Sequence, residues 1–137
     1  MSPTDPFVGR FDRSLDSKGR VILPTRLRPS FDPSGYLAPH EDGCIALWTD
    51  EEFTMEATRQ HAREAEGPTA RHEVREWFSH VNRVQVDKQG RMPIPPDLRT
   101  HADIEQDVLV VGVHDRVELW SKRRWEERLS GGAGAGS

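Results

Sequence analysis

The stretch SLDSKGRVILP, residues 14–24, decides the fold because the chain contains a close copy of it. The copy, QVDKQGRMPIP, spans residues 85–95, 71 positions later. Each phrase places an aspartate, a glycine and an arginine in a short polar turn between two strand-like segments. The repetition predicts one structural unit present twice, with the same charged turn on the surface of each copy.

The resemblance between the two halves continues beyond the turn. Each apolar strand is followed by a proline and then by a Leu-Arg pair, Leu27-Arg28 in the first half and Leu98-Arg99 in the second. A proline at this point is typical of a strand exit and a helix entry. Further on, YLAPHEDGCIALW (36–48) matches VLVVGVHDRVELW (108–120), and both predict β-hairpins that turn at EDG and at HD.

Helices are predicted after each hairpin and between the halves. Thr49 with Glu52 forms a capping box, which predicts a helix that runs to about Glu66 and stops at Gly67-Pro68. Ser121 is the matching cap in the second half. In TARHEVREWFSHV, residues 69–81, the apolar side chains follow the stripe of an amphipathic helix with one buried face.

These elements predict an α+β fold that is mainly β. We expect a first repeat with its helix over residues 7–66, a connecting helix over 67–81, a second repeat over 82–129 and a flexible tail over 130–137. Four short strands form only a marginal module alone, whereas two copies bury each other's apolar faces. The sequence therefore predicts interleaved hairpins that close a small barrel about a pseudo-twofold axis.

Composition narrows the function classes. The chain has 137 residues, 31% of them charged, and a net charge of −4, yet residues 9–28 carry six basic and two acidic side chains. The single cysteine, Cys44, cannot form an internal disulfide, and no leader or membrane-spanning run is recognisable, which favours the cytoplasm. The six histidines show no metal-ligand spacing, and no catalytic or nucleotide-binding motif occurs, so we expect no cofactor, no metal and no small-molecule substrate.

The chemistry of the turn leaves two interpretations open. Gly19 and Gly90 suit the positive φ that tight turns require. Asp16 and Asp87 either start the turn and pair internally with the arginine four residues on, or hold that arginine in one orientation for a ligand. In the first case the cations are a solvated hairpin edge. In the second, the arginine presents a planar fork to guanine or phosphate.

The two turns, with the hairpin VLVVGVHDRVELW behind the second, resemble the MraZ family of bacterial DNA-binding regulators of the division and cell-wall gene cluster. The resemblance covers roughly residues 7–129. It implies a double swapped-hairpin barrel of the AbrB type, homo-oligomeric rings and nucleoid association. It also implies binding to short G-rich direct repeats in double-stranded promoter DNA, with repression as the expected direction.

The resemblance and the local charge together select the candidate residues. Asp16, Gly19, Asp87 and Gly90 are predicted to shape and orient the turns. The predicted DNA contacts are basic: Arg10, Arg13, Lys18, Arg20, Arg26, Arg28, Lys88 and Arg91. The first turn has Lys18, Arg26 and Arg28 nearby, whereas the second has Gln89, Pro93 and Asp97 at the corresponding places. The first turn is therefore expected to carry the specific contact. An antitoxin-like protein-interaction module is the alternative, and an enzyme ranks third.

Overall fold

The structure, a computed structural model, describes the backbone of residues 5–135 and the side chains of residues 5–130. The first half contains strands β1 (Arg10–Ser14), β2 (Arg20–Ile22), β3 (Gly35–Pro39) and β4 (Ile45–Trp48), a 3-10 helix (Thr25–Phe31), and helix α1 (Asp50–Ala62). Helix α2 (Pro68–Ser79) connects the halves. The second half contains β5 (Asn82–Val84), β6 (Arg91–Pro93), α3 (Pro96–Ala102), β7 (Asp107–Val113), β8 (Arg116–Trp120) and α4 (Lys122–Ala135).

The strands of the two halves are exchanged. Six strands form an antiparallel sheet in the order β1-β7-β8-β4-β3-β5, and β2 pairs with β6 in a separate two-stranded ribbon. Thus β1 lies on the hairpin of the second half and β5 lies on the hairpin of the first. The predicted α+β, mainly β architecture of two swapped repeats is confirmed.

A pseudo-twofold axis passes through both sheets. In the ribbon, Val21 lies opposite Met92, its own counterpart 71 positions later. In the large sheet, Ala46 of β4 lies opposite Glu118 of β8. Equivalent residues therefore meet at the centre of each sheet, and the two halves bury each other.

The two hairpins differ by one residue in their turns. Tyr36 pairs with Trp48 in the first hairpin, whereas Leu109 pairs with Trp120 in the second. Trp48 and Trp120 are equivalent, so Tyr36 corresponds to Leu109. The gapless match of residues 36–48 to 108–120 is therefore correct along β4 and β8 and out of register by one along β3 and β7.

The main core lies between the ribbon and one face of the large sheet. Val21 and Met92 of the ribbon are fully buried, as are Leu47 of β4 and Leu119 of β8. Side chains alternate along a strand, so the neighbours of Val21 and Met92 point away from the core. The ribbon's opposite face is consequently exposed.

The other face of the large sheet is partly covered by helices. Trp48 packs with Phe53 of α1 and Trp77 of α2, and Trp120 packs edge-on against Trp125 of α4. At the centre of this face Glu118 is buried. Its Oε1 accepts from Trp120 Nε1 at 2.9 Å, and its Oε2 accepts from Arg116 Nε at 2.9 Å.

The predicted helix caps are present. Thr49 Oγ1 accepts from the backbone N–H of Glu52 at 3.2 Å, and Ser121 Oγ accepts from that of Arg124 at 3.0 Å. The helix expected to reach Glu66 is α-helical to Ala62, and a 3-10 turn (Arg63–Glu66) completes it. Gly67 has a φ of 129°, and α2 begins directly at Pro68.

The C-terminal stretch differs from its prediction as a flexible tail. Helix α4 continues to Ala135, so residues 130–135 have helical backbone. Extension of an existing helix needs no new nucleation, which allows even glycine-rich residues to follow it. The last two positions of the predicted tail, 136–137, lie outside the described residues.

Candidate nucleic-acid interface

The first charged turn is organised by a single carboxylate. Asp16 Oδ1 accepts from the backbone N–H groups of Lys18 and Arg20, both at 2.9 Å. Asp16 Oδ2 accepts from Arg20 Nε at 2.8 Å. The backbone N–H of Gly19 closes the turn on the Asp16 carbonyl at 3.0 Å, with φ at 74° in the region that favours glycine.

The second turn repeats this arrangement. Asp87 Oδ1 accepts from the backbone N–H groups of Gln89 and Arg91 at 2.9 Å, and Oδ2 accepts from Arg91 Nε at 2.7 Å. Gly90 has a φ of 83° and donates to the Asp87 carbonyl at 2.9 Å. Each aspartate therefore shapes its turn and also fixes the orientation of the arginine four residues on.

These hydrogen bonds keep both carboxylates charged. Backbone donation from Arg20 is the largest cause that holds the pKa of Asp16 below its usual value, and its side-chain bond adds to it. Backbone donation from Arg91 lowers the pKa of Asp87 in the same way. Aspartates with a lowered pKa suit the orientation of a guanidinium and are poorly suited to acid catalysis.

The two oriented arginines share one surface. In the ribbon Arg20 lies opposite Pro93, and Ile22 lies opposite Arg91, while Val21 and Met92 face the core. The side chains of Arg20 and Arg91 are 25% and 34% exposed. Both line a shallow depression that also includes Arg83 and Asp87. The ribbon's outer face thus displays two aspartate-held guanidinium groups about the pseudo-twofold axis.

Arg20 and Arg91 differ at their terminal nitrogens. Arg91 Nη2 donates to Gln89 Oε1 at 2.5 Å. The equivalent of Gln89 is Lys18, which has no acceptor, and the terminal nitrogens of Arg20 make no hydrogen bond within residues 5–130. Arg20 therefore keeps more donor capacity for a ligand.

The basic residues behind the turns are exchanged between the halves. A Cβ added to Gly90 would overlap the guanidinium of Arg28, and a Cβ added to Gly19 would lie 3.0 Å from Arg99 Nη1. Arg28, which the sequence assigned to the surroundings of the first turn, lies against the second. Arg99, which is absent from the predicted site, lies against the first. The Leu-Arg repeat signalled both residues, but only the swapped pairing shows which turn each one meets.

The remaining predicted contacts fall into two groups. Arg10, Lys18 and Lys88 are exposed and form no ion pair among the described side chains. Arg13 donates from Nε to the Ile22 carbonyl at 3.1 Å, and its guanidinium lies 5.9 Å from the centre of the Phe11 ring. Arg26 lies 5.2 Å from the same ring.

The first turn and the strand β1 beside it thus have a local surplus of positive charge. In the second half, the position of Arg26 is held by Asp97, which accepts from His80 Nδ1 at 2.7 Å. Among the described residues, no group of three or more His, Cys, Asp or Glu side chains is placed to hold a metal ion. No helix in the described part of the chain is long and apolar enough to cross a membrane.

Comparison with known proteins identifies a family and several relatives of this chain. The family model described as "MraZ protein, putative antitoxin-like" matches residues 7–75 and 77–131. A protein of Pediococcus pentosaceus named transcriptional regulator MraZ is 37% identical over 123 residues, which cover 90% of this chain and 86% of that protein. The proteins of the same name from Ligilactobacillus salivarius and Thermomicrobium roseum are 38% and 37% identical, and the matches cover 88% and 87% of this chain and 84% of each relative.

The family match and the names of these relatives identify a transcription regulator and not an enzyme. The chain belongs to the MraZ family.

Proposed function

We propose that the chain binds duplex promoter DNA with sequence specificity through the outer face of the β2–β6 ribbon and its two turns. The observation that carries this proposal is the pair of aspartate-held guanidinium groups, Arg20 and Arg91, on one exposed face. A two-stranded ribbon fits the major groove, and a fixed guanidinium matches the two acceptors of guanine. Arg20, whose terminal nitrogens have no hydrogen-bond partner within residues 5–130, is thereby the candidate reader of a G-rich sequence, and Arg91 is expected to add a supporting contact.

The other cations position the protein on the backbone of the duplex. Arg10, Lys18 and Lys88 are exposed and unpaired within the described residues, so they are available to phosphates. Arg13 and Arg26 extend this positive surface along β1. Such contacts supply affinity and register but carry no sequence information.

The functional form is a homo-oligomer, and a ring is the arrangement implied by the family resemblance. One bidentate base contact contributes only about 1–3 kcal/mol of discrimination. Repetition of the ribbon in an oligomer raises the effective concentration of each further contact on repeated DNA sites. Light scattering at micromolar concentration should detect a species larger than the 15.6 kDa chain. A monomer that binds DNA normally would contradict this part of the proposal.

The regulatory target follows from the same resemblance. Short G-rich direct repeats upstream of the division and cell-wall gene cluster are the proposed operator, with repression as the direction of control. The protein then acts in the cytoplasm in association with the nucleoid. A reporter gene behind the DNA upstream of the chain's own coding sequence tests the direction, because repression predicts higher expression when the protein is removed.

Binding titrations test the DNA interaction directly. The labelled probe is the upstream duplex, and the control is a scrambled duplex of the same length and composition. We expect tighter binding to the upstream duplex and a fall of log affinity with log salt of about 0.9 per phosphate contact. Equal affinity for both duplexes, or an affinity that does not change with salt, would refute the proposal.

A further inference from the structure

We propose that Arg99 and Arg28 are positioning residues that each set the turn of the opposite half. Arg99 of the second half supports the Arg20 turn, and Arg28 of the first half supports the Arg91 turn. This inference rests on the proposed function, since it assigns the two residues a role in presenting the DNA-contacting arginines.

The support of the first turn is a flat contact. A Cβ at Gly19 would lie 3.0, 3.1 and 3.3 Å from Nη1, Cζ and Nη2 of Arg99. Three atoms of one planar group at nearly equal distances mean that the guanidinium lies face-on against Gly19. Leu98, the preceding residue, is 1% exposed in the core, so α3 is firmly anchored where it presents Arg99.

In the second turn, Arg28 lies closer to Gly90 than Arg99 lies to Gly19 in the first. The Arg28 guanidinium occupies the space that a Cβ at Gly90 would need. Arg28 Nε also donates to the Leu23 carbonyl at 2.8 Å, which fixes its orientation. The corresponding Nε of Arg99 is buried and has no partner among the described residues. Arg99 is therefore held by packing, whereas Arg28 is also held by a hydrogen bond.

The backbone of each turn is bonded to the opposite half as well. The Gly19 carbonyl accepts from the Ile94 N–H at 3.0 Å, and the Gly90 carbonyl accepts from the Leu23 N–H at 2.9 Å. Each glycine thus contacts the other half through its carbonyl and through the surface left open by its missing side chain. The conformation of each turn depends on an aspartate of its own half and an arginine of the other.

The first experiment needs no DNA. Transverse-relaxation-optimised 15N spectra of the deuterated full chain report the Gly19 and Gly90 amides separately. Arg99→Ala should shift the Gly19 resonance more than the Gly90 resonance, and Arg28→Ala should do the reverse. Arg75→Ala, which removes an exposed positive charge from α2, should shift neither. The opposite pairing, or no shift of either glycine in folded variants, would overturn the inference.

The second experiment measures binding to the upstream and scrambled duplexes after sizing shows that each variant assembles. Arg99→Ala should lower discrimination between the duplexes about tenfold, within the range of one base contact. Arg99→Lys keeps the charge but lacks the planar group. It should therefore recover less than half of the lost discrimination, measured as the logarithm of the ratio of the two affinities.

Full rescue by lysine would show a simple phosphate contact and would overturn the positioning role. Arg75→Ala should leave discrimination unchanged. If the unmodified protein does not distinguish the duplexes, the proposed function fails, while the glycine spectra still decide whether the halves support each other's turns. The two failures are therefore distinguishable.

Discussion

The two charged turns share a backbone and differ in what surrounds them. Asp16 and Asp87 make the same three hydrogen bonds, two to backbone N–H groups and one to an arginine. In the first turn the arginine is otherwise unpaired within the described residues, whereas in the second it also donates to Gln89. The comparison shows that both repeats hold the arginine through the same aspartate contact. They differ in how many of its guanidinium N–H donors remain free to bind a ligand.

The swapped arginines change the charge balance that the sequence suggested. With Arg28 beside the second turn and Arg99 beside the first, each turn has one neighbouring arginine from the other half. The excess of positive charge at the first turn therefore depends on fewer residues than the sequence indicated. Arg26 remains there, and Asp97 with its His80 partner takes the equivalent place in the second half.

The largest expected effect separates the two arginines. Arg20→Ala should remove discrimination between the upstream and scrambled duplexes, at about 1–3 kcal/mol for each turn engaged. Arg91→Ala should weaken binding to both duplexes by a similar modest factor, because its Nη2 is already occupied by Gln89. Titration of both variants after sizing checks this. Equal loss of specificity in the two variants would show that the turns are equivalent.

The next effect concerns the free energy of unfolding. Alanine at a positive φ costs about 1–2 kcal/mol, so Gly19→Ala and Gly90→Ala should both be destabilising. Gly90→Ala also displaces Arg28 from the Leu23 carbonyl, at a further cost of about 1 kcal/mol. Urea unfolding at one fixed protein concentration measures both. A more severe effect at Gly19 would contradict the description of Arg28 as the closer support.

A smaller change should make the two turns more alike. Gln89→Ala removes the acceptor of Arg91 Nη2 and frees that donor for DNA. We expect tighter binding, by about 0.5–1.5 kcal/mol at most, which is the net contribution of one hydrogen bond and corresponds to about twofold to thirteenfold in affinity. Gln89→Glu is the matched control, because it keeps an acceptor and adds negative charge, and it should weaken binding. Weaker binding by Gln89→Ala would show that Gln89 itself contacts DNA.

The smallest effect lies in the His80–Asp97 pair. The hydrogen bond from His80 to Asp97 is the largest cause that raises the pKa of His80, and the same bond lowers the pKa of Asp97. The His80 contribution to stability is full below its unfolded value of about 6.5 and is lost as pH rises through the raised pKa. The Asp97 contribution is lost as pH falls through the lowered pKa.

The difference in the free energy of unfolding between the unmodified chain and His80→Asn should therefore be greatest at mildly acidic pH, between the lowered pKa of Asp97 and the raised pKa of His80. Both side chains are 43% exposed, so the difference should stay below about 1 kcal/mol. Thermal unfolding across this pH range measures it. A difference that grows above neutral pH would contradict the assignment.

Local features of the fold were predictable from the sequence because they depend on neighbouring residues. The strands around each turn, the caps at Thr49 and Ser121, and the stop at Gly67-Pro68 follow from local patterns. The register of β3 and β7 did not follow, since a turn longer by one residue shifts only one strand of a hairpin. Only the residue pairs observed between the strands show this shift.

The candidate site was predictable in its residues and less so in its neighbours. The D-x-x-G-R repeats identified both aspartates, both glycines and both arginines at the turns. The arginine that packs against each turn could not be predicted from local sequence. A repeat shows that the two copies are alike, but it does not show whether a turn packs against its own copy or against the other one. Arg99 was therefore missed, and Arg28 was assigned to the wrong turn.

The buried Glu118 shows what joining two copies in one chain permits. A residue on a twofold axis faces its own duplicate, so an assembly of two identical second halves would set one buried carboxylate directly against another. Like charges in that position are destabilising, and more so away from water. In the fused chain Ala46 stands opposite instead, and Glu118 keeps Arg116 and Trp120 as its partners. The internal repeat gives this protein its approximate symmetry, and because both copies lie in one chain, the residues that meet on the axis can differ.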